Sequence, residues 1–119
     1  MLQSLFNRTR PQTQTAVKTI DANSLNQRLQ NGDNLLLVDV RTPGEYQRDG
    51  HIAGSRLLPL SSLTQRMSEL PQDKTIVCVC RSGARSQTAC EFLAANGFSS
   101  VINLSGGMIG WKRSRLPHQ

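Results

Sequence analysis

The chain has 119 residues, a length that suits one domain with one substantial core. Only 4% of it is aromatic, so the core must be built mainly from Leu, Ile, Val and Ala. No apolar run approaches the ~20 residues that span a bilayer, and Met1–Phe6 lacks the leading charge of a secretory signal, so the cytoplasm is the expected compartment. The net charge of +6 comes from scattered arginines without interleaved aromatics, which argues against a nucleic-acid face; a small anionic substrate explains the excess equally well, because Arg81 and Arg85 lie within five residues of each other.

Residues 1–14 are polar and are expected to form a flexible tail; the domain is expected over 15–113, followed by a short tail at 114–119. Thr15 to Ile20 is predicted to be a short strand. Asp21 caps a helix to about Gln30, with Leu25 and Leu29 facing the core at i, i+4. Leu35 to Val40 is apolar except for Asp39, the pattern of a strand buried on both faces of a parallel sheet. Thr42-Pro43-Gly44-Glu45 contains a cap, a proline at the first helical position and a capping-box glutamate, which together predict a short helix ending at Gly50. Arg56 to Leu58 is a candidate strand, and Ser61 or Ser62 starts a third helix that closes before Pro71.

Thr75 to Val79 is the strongest strand signal. A seven-residue loop follows, Cys80-Arg81-Ser82-Gly83-Ala84-Arg85-Ser86, and then a helix to about Asn96 with Ala89, Phe92 and Leu93 on its inner face. Ser100 to Leu104 is the last strand, and Gly106-Gly107 leads into a short helix carrying Trp111. Strands alternating with helices predict an α/β domain with a mainly parallel sheet.

In such sheets, ligands bind beyond the carboxyl ends of the strands. Cys80 sits at such an end, just before a helix N-terminus, and Gly83 permits the tight curvature that turns amides inward. The amide nest, the helix dipole, Arg81 and Arg85 all favour thiolate over thiol. The three cysteines are odd in number and close in sequence, whereas a disulfide framework would want them even and dispersed. Cys78-x-Cys80 is tighter than zinc spacing, and neither His51 nor His118 has the spacing of a metal ligand, so no metal is expected. A reactive thiol remains, with Cys78 and Cys90 read as plain core thiols.

Four blocks carry a family resemblance: D-V-R-T-P-G-E-Y at 39–46, G-H-I-A-G-S at 50–55, V-C-R-S-G-A-R-S at 79–86 and L-S-G-G-M-I-G-W at 104–111. Their order and spacing resemble a rhodanese domain over about residues 15 to 113. The resemblance implies a doubly wound, five-stranded, mainly parallel sheet with helices on both faces. It implies a sulfurtransferase in which Cys80 takes sulfane sulfur from a donor such as thiosulfate and passes it, through a persulfide, to a thiol or cyanide. Arg81, Ser82, Gly83, Ala84, Arg85 and Ser86 would bind the substrate. Asp39 and Arg41 would support the site, Asp39 bonding loop amides and Arg41 pairing with a carboxylate such as Glu45. No cofactor, nucleic acid or membrane is implied. The Cys-x4-Arg spacing is one residue shorter than the Cys-x5-Arg of protein-tyrosine phosphatases, whose longer loop fits phosphate. Arg81 stands where mercaptopyruvate-specific relatives usually have glycine, which points to thiosulfate or a protein persulfide as donor. The alternative is a sulfur carrier loaded by a protein persulfide, with little small-molecule turnover. His51 is expected in a structural turn and Trp111 in packing.

Overall fold

The computed structural model describes residues 16–119, so the expected 1–14 tail and the first residue of the predicted first strand lie outside the described residues. Among the described residues the sheet has five strands in the order β1-β5-β4-β2-β3: β1 Lys18–Ile20, β2 Leu35–Asp39, β3 Arg56–Leu57, β4 Thr75–Val79 and β5 Val101–Leu104. Every pairing is parallel. The helices are α1 Ala22–Gln30, α2 Pro43–Arg48, α3 Leu63–Arg66, α4 Ala84–Ala95 and α5 Gly107–Arg113.

Strand alternation divides the core into two layers. Ile76, Cys78 and Cys80 point to one face of the sheet, where they join Leu63 of α3, Ala89, Cys90 and Leu93 of α4, and Val38. Val77 and Val79 point to the other, with Leu25 of α1, Leu104, and Met108 and Trp111 of α5. Burial on both faces explains why β2 and β4 read as continuous apolar runs rather than alternating ones.

The helix starts follow local chemistry. Asp21 caps α1 by accepting from Ser24 N at 2.8 Å, and Thr42 and Glu45 form a reciprocal capping box on α2. The third helical segment departs from the single helix predicted. Leu60–Ser62 and Met67–Glu69 are 3₁₀ turns flanking the one α turn of α3, and Ser62 makes no side-chain cap bond. Without a side-chain cap at Ser62, the segment takes the tighter i→i+3 pattern at both ends. On α4 the buried face is Ser86, Ala89, Cys90, Leu93 and Ala94, and Phe92 is only partly buried.

Residues 114–119, expected as a tail, fold back on the domain. His51 N donates to Gln119 O at 2.9 Å and Gln119 N to His51 O at 2.7 Å. Trp111 Nε1 donates to Pro117 O at 2.9 Å, so the indole is a packing residue on the face opposite Cys80. Among the described residues, no helix is long and apolar enough to cross a membrane.

Candidate active site

Register places the carboxyl ends of β2 and β4 side by side: Asp39 pairs with Val79, and Val40 N donates to Val79 O at 2.9 Å. Cys80 follows at once, 1% exposed. Gly83 adopts φ 105°, a left-handed conformation that L side chains rarely take, and this turns the chain into α4. The loop is therefore shorter than predicted. The helix starts at Ala84, so Ala84, Arg85 and Ser86 form its first turn rather than the end of a loop. The reason lies in the capping. No side-chain cap is made at Gly83, and the first-turn amide of Ser86 instead donates to Cys80 Sγ at 3.3 Å, with Gly83 N at 3.1 Å. The sulfur itself caps the helix.

These contacts set the acidity of the thiol. Burial pushes Cys80 up, but the Ser86 hydroxyl and the amides of Ser86, Gly83 and Ser82 outweigh it, and the net direction is down. Cys78 moves the other way: the neighbouring Cys90 thiol and burial push it well up. All three cysteines are free thiols and buried, so proximity of Cys80 to hydrogen-bond donors, not exposure, distinguishes it.

The loop is held from below by α5. Met108 N donates to Cys80 O at 2.9 Å and Ile109 N to Arg81 O at 3.0 Å. Gly107 makes this approach possible: a Cβ there would stand 2.5 Å from both carbonyl oxygens. Asn103 of β5 supports the loop from the side. Its Nδ2 donates to Gly83 O at 3.0 Å, and its Oδ1 accepts from Ser86 Oγ at 2.5 Å. Sequence reasoning misses both residues. Gly107 reads there only as a turn. Asn103 carries a usable signal, since a polar residue inside the apolar run Val101–Leu104 must find buried partners.

The side chains expected to bind an anion are distributed differently from the sequence reading. Arg85 is not a free cation. Its guanidinium makes a bidentate pair with Glu45, both bonds at 2.8 Å, and hydrogen bonding to that guanidinium holds the Glu45 carboxyl down at about 2. Arg41 does not pair with Glu45, and Asp39 does not bond the Cys80 loop. The two pair with each other instead, Arg41 Nε to Asp39 Oδ1 at 2.9 Å and Nη2 to Oδ2 at 2.8 Å, and Arg41 Nη2 also reaches Gly50 O at 2.8 Å. Both are fully buried, and the pair fastens the end of β2 to the turn before His51. His51 stacks on Tyr46 with ring centroids 3.7 Å apart, and its Nδ1 lies 3.0 Å from Tyr46 O. Ser82 and Ala84 are exposed on the rim. Arg81 is exposed and, with Arg41, Asp49, Met108, Ile109 and Lys112, lines a cavity of about 390 Å³ beside the loop. Lys112 does not stand out in the sequence, and its Nζ donates to Asp49 O on the cavity wall. Among the described residues, no cluster of His, Cys, Asp and Glu could hold a metal ion.

An all-parallel α/β domain with a low-lying thiol at a strand's carboxyl end, cradled by a helix N-terminus, defines a class built for sulfur or anion chemistry. Comparison with known proteins names it. Residues 21–114 match the Rhodanese-like domain model, and the chain belongs to that family. It is 48% identical over 101 residues to a sulfurtransferase of Allochromatium vinosum, covering 85% of this chain and 94% of that protein. It is 32% identical over 97 residues to YrkF of Bacillus subtilis, named as a candidate sulfur carrier, covering 82% of this chain and 52% of that protein. The crystal structure of a rhodanese-related protein from Thermoplasma volcanium superposes with a TM-score of 0.78 at 30% identity, covering 86% of this chain and 97% of that one. The predicted fold class and family are both borne out, and a sulfurtransferase role follows at the level of the family.

Proposed function

We propose that Cys80 carries sulfane sulfur as a persulfide and that the protein transfers it from a small anionic donor such as thiosulfate to a thiophilic acceptor. The observation that carries this reading is the hydrogen bonding of Cys80 Sγ to the Gly83 and Ser86 amides, which favours an anionic sulfur there. In the first half-reaction the Cys80 thiolate attacks the outer sulfur of thiosulfate. The new Sγ–S bond forms, the old S–S bond breaks, and sulfite leaves with its electron pair. In the second, cyanide or an acceptor thiolate attacks the outer sulfur, and Cys80 leaves as thiolate. The amides aimed at Sγ stabilise the thiolate that attacks the donor and that leaves in the second step, without reorganising.

The cavity beside the loop supports an anionic donor. Its wall carries Arg81 and Lys112; its one carboxylate, Asp49, pairs with Arg48 at 3.4 Å, and Arg41 is neutralised by Asp39. Arg85, neutralised by Glu45, shapes the loop more than it attracts the donor. A sulfur-carrier role, loaded by a protein persulfide, is the second reading, and the likeness to YrkF favours it. Turnover separates the two: a transferase consumes thiosulfate and cyanide catalytically, whereas a carrier takes up one sulfur from a protein persulfide and turns over little.

Intact-mass and peptide-mapped spectrometry after incubation with thiosulfate, and separately with a persulfidated protein, tests the shared core of both readings. One added sulfur on Cys80, absent from Cys80→Ser with an unchanged circular dichroism spectrum, is the expected result. Sulfur on Cys78 or Cys90, or a serine variant keeping more than about a tenth of the transfer activity, overturns it.

A further inference from the structure

Asn103 is 5% exposed in the middle of β5, and each polar atom of its side chain has a partner. Nδ2 donates to Gly83 O at 3.0 Å and to Gln87 Oε1 at 3.2 Å; Gln87 is itself oriented, its Nε2 donating to Glu91 Oε2 at 3.1 Å. Two acceptors on one side fix the amide, so Oδ1 must face Ser86, and a carbonyl oxygen can only accept. Ser86 Oγ stands 2.5 Å from that oxygen and, on its other side, 3.2 Å from Cys80 Sγ. The hydroxyl has one proton for two acceptors.

Its position depends on the state of Cys80. With a thiol, S–H donates to Ser86 Oγ and Ser86 donates to Asn103. With a thiolate, Sγ only accepts, and the hydroxyl stabilises it only by turning away from Asn103, which leaves two close oxygens without a proton between them. In the persulfide the charge lies on the outer sulfur, Sγ no longer draws the proton, and the hydroxyl returns to Asn103. We propose that Asn103 is a positioning residue that acts on Cys80 through Ser86, competing for the hydroxyl proton so that it reaches Sγ only while Sγ bears the charge. This rests on Cys80 being the sulfur-bearing atom. A less stabilised thiolate is the stronger nucleophile toward the donor and the poorer leaving group toward the acceptor, so Asn103 sets the balance between the half-reactions.

The other groups around the thiol are Cys78 on β4, Arg85 of α4 with its partner Glu45 of α2, and the Asp39–Arg41 pair from the end of β2. All are retained in the variants that follow. The test is a double-mutant cycle read by pH titration of the ultraviolet thiolate absorbance, with Cys80→Ser as baseline. Ser86→Ala is expected to raise the Cys80 midpoint by about one unit, the loss of one hydrogen bond to a charged group. Asn103→Ala frees the hydroxyl for Sγ and is expected to lower the midpoint by about half a unit to one unit. In the Ser86→Ala background the same Asn103 substitution is expected to change nothing. A midpoint unmoved or raised by Asn103→Ala overturns the proposal. So does a shift that persists when Ser86→Ala is also present, because Asn103 would then act by holding Gly83 O. Where Asn103→Ala does not fold, Asn103→Leu fills the volume without a polar atom and is read by the same two measurements. The titration uses no sulfur donor, so failure of Cys80 to take up sulfur, seen by mass, is a separate result.

Discussion

Gly107→Ala puts a single methyl group against the loop that carries Cys80. The added Cβ would lie 2.5 Å from Cys80 O, 2.5 Å from Arg81 O and 2.6 Å from Arg81 C, against a floor of 3.0 Å that real Cβ contacts respect. The obstacle is backbone on every side, so the loop must retreat by about half an ångström or α5 must tilt. Either movement stretches the bonds from Met108 N to Cys80 O and from Ile109 N to Arg81 O, now 2.9 and 3.0 Å. Weakening two such bonds costs about 0.5–1.5 kcal/mol each. Gly107 also sits at φ 54°, where an L side chain costs a further ~1–2 kcal/mol. The expected destabilisation is about 2–5 kcal/mol, the sum of these effects. Gly106→Ala is the control: it shares the left-handed backbone, at φ 77°, but its nearest neighbour would be 3.7 Å away, so only about 1–2 kcal/mol should be lost. Denaturant midpoints of the two variants give the difference. Because the loop carries Sγ with it, sulfur transfer by Gly107→Ala should fall up to about 100-fold under conditions where the variant remains folded. Equal destabilisation by the two alanines, or wild-type transfer by Gly107→Ala, would refute the reasoning that α5 sets the height of the loop.

Two further predictions concern charge. Glu45→Gln should cost about 1 kcal/mol at neutral pH, a small value because Arg85 is 38% exposed and solvent screens the pair. Since the folded-state pKa of Glu45 is lowered to about 2 from 4.5, that stabilisation is complete above about 4.5 and is lost as the pH falls through about 2. The stability curves of the wild type and Glu45→Gln should therefore converge in acid, and a constant gap across that range would show that the pair is not its source. Arg81→Ala and Lys112→Ala should each raise KM for thiosulfate several-fold at low salt, with the effect fading at high salt, where exposed charges are screened. Arg85→Ala should do so less, and an Arg85 effect larger than either would return the anion site to the position expected from the sequence.

Much of this molecule is legible in one dimension because the determining interactions are local. The capping box Thr42–Glu45, the Asp21 cap and the doubly buried strands all depend on residues within a few positions of one another, and all occur where the pattern places them. The placement of Cys80 is legible for the same reason: strand, sulfur, glycine and helix N-terminus follow one another within a few residues. Partner choice is another matter. Glu45 and Arg41 are near neighbours in the chain, and that proximity suggests a pair, yet Glu45 takes Arg85 from 40 residues away and Arg41 takes Asp39. Parallel pairing of β2 with β4 brings α2 against the start of α4, so Arg85 reaches Glu45, while Arg41, the nearer candidate, is already held by the buried Asp39 carboxylate and Gly50 O. Asn103 and Gly107 become part of the Cys80 site only because β5 lies next to β4 and α5 begins under the loop. The sequence by itself determined the strands, the Asp21 and Thr42 caps and the place of Cys80 at the end of β4, because those depend on neighbours along the chain. The tertiary structure alone decided that Arg85 pairs with Glu45 and that Asn103 and Gly107 meet the Cys80 loop, because those contacts depend on parallel strand order, which joins residues far apart in the chain.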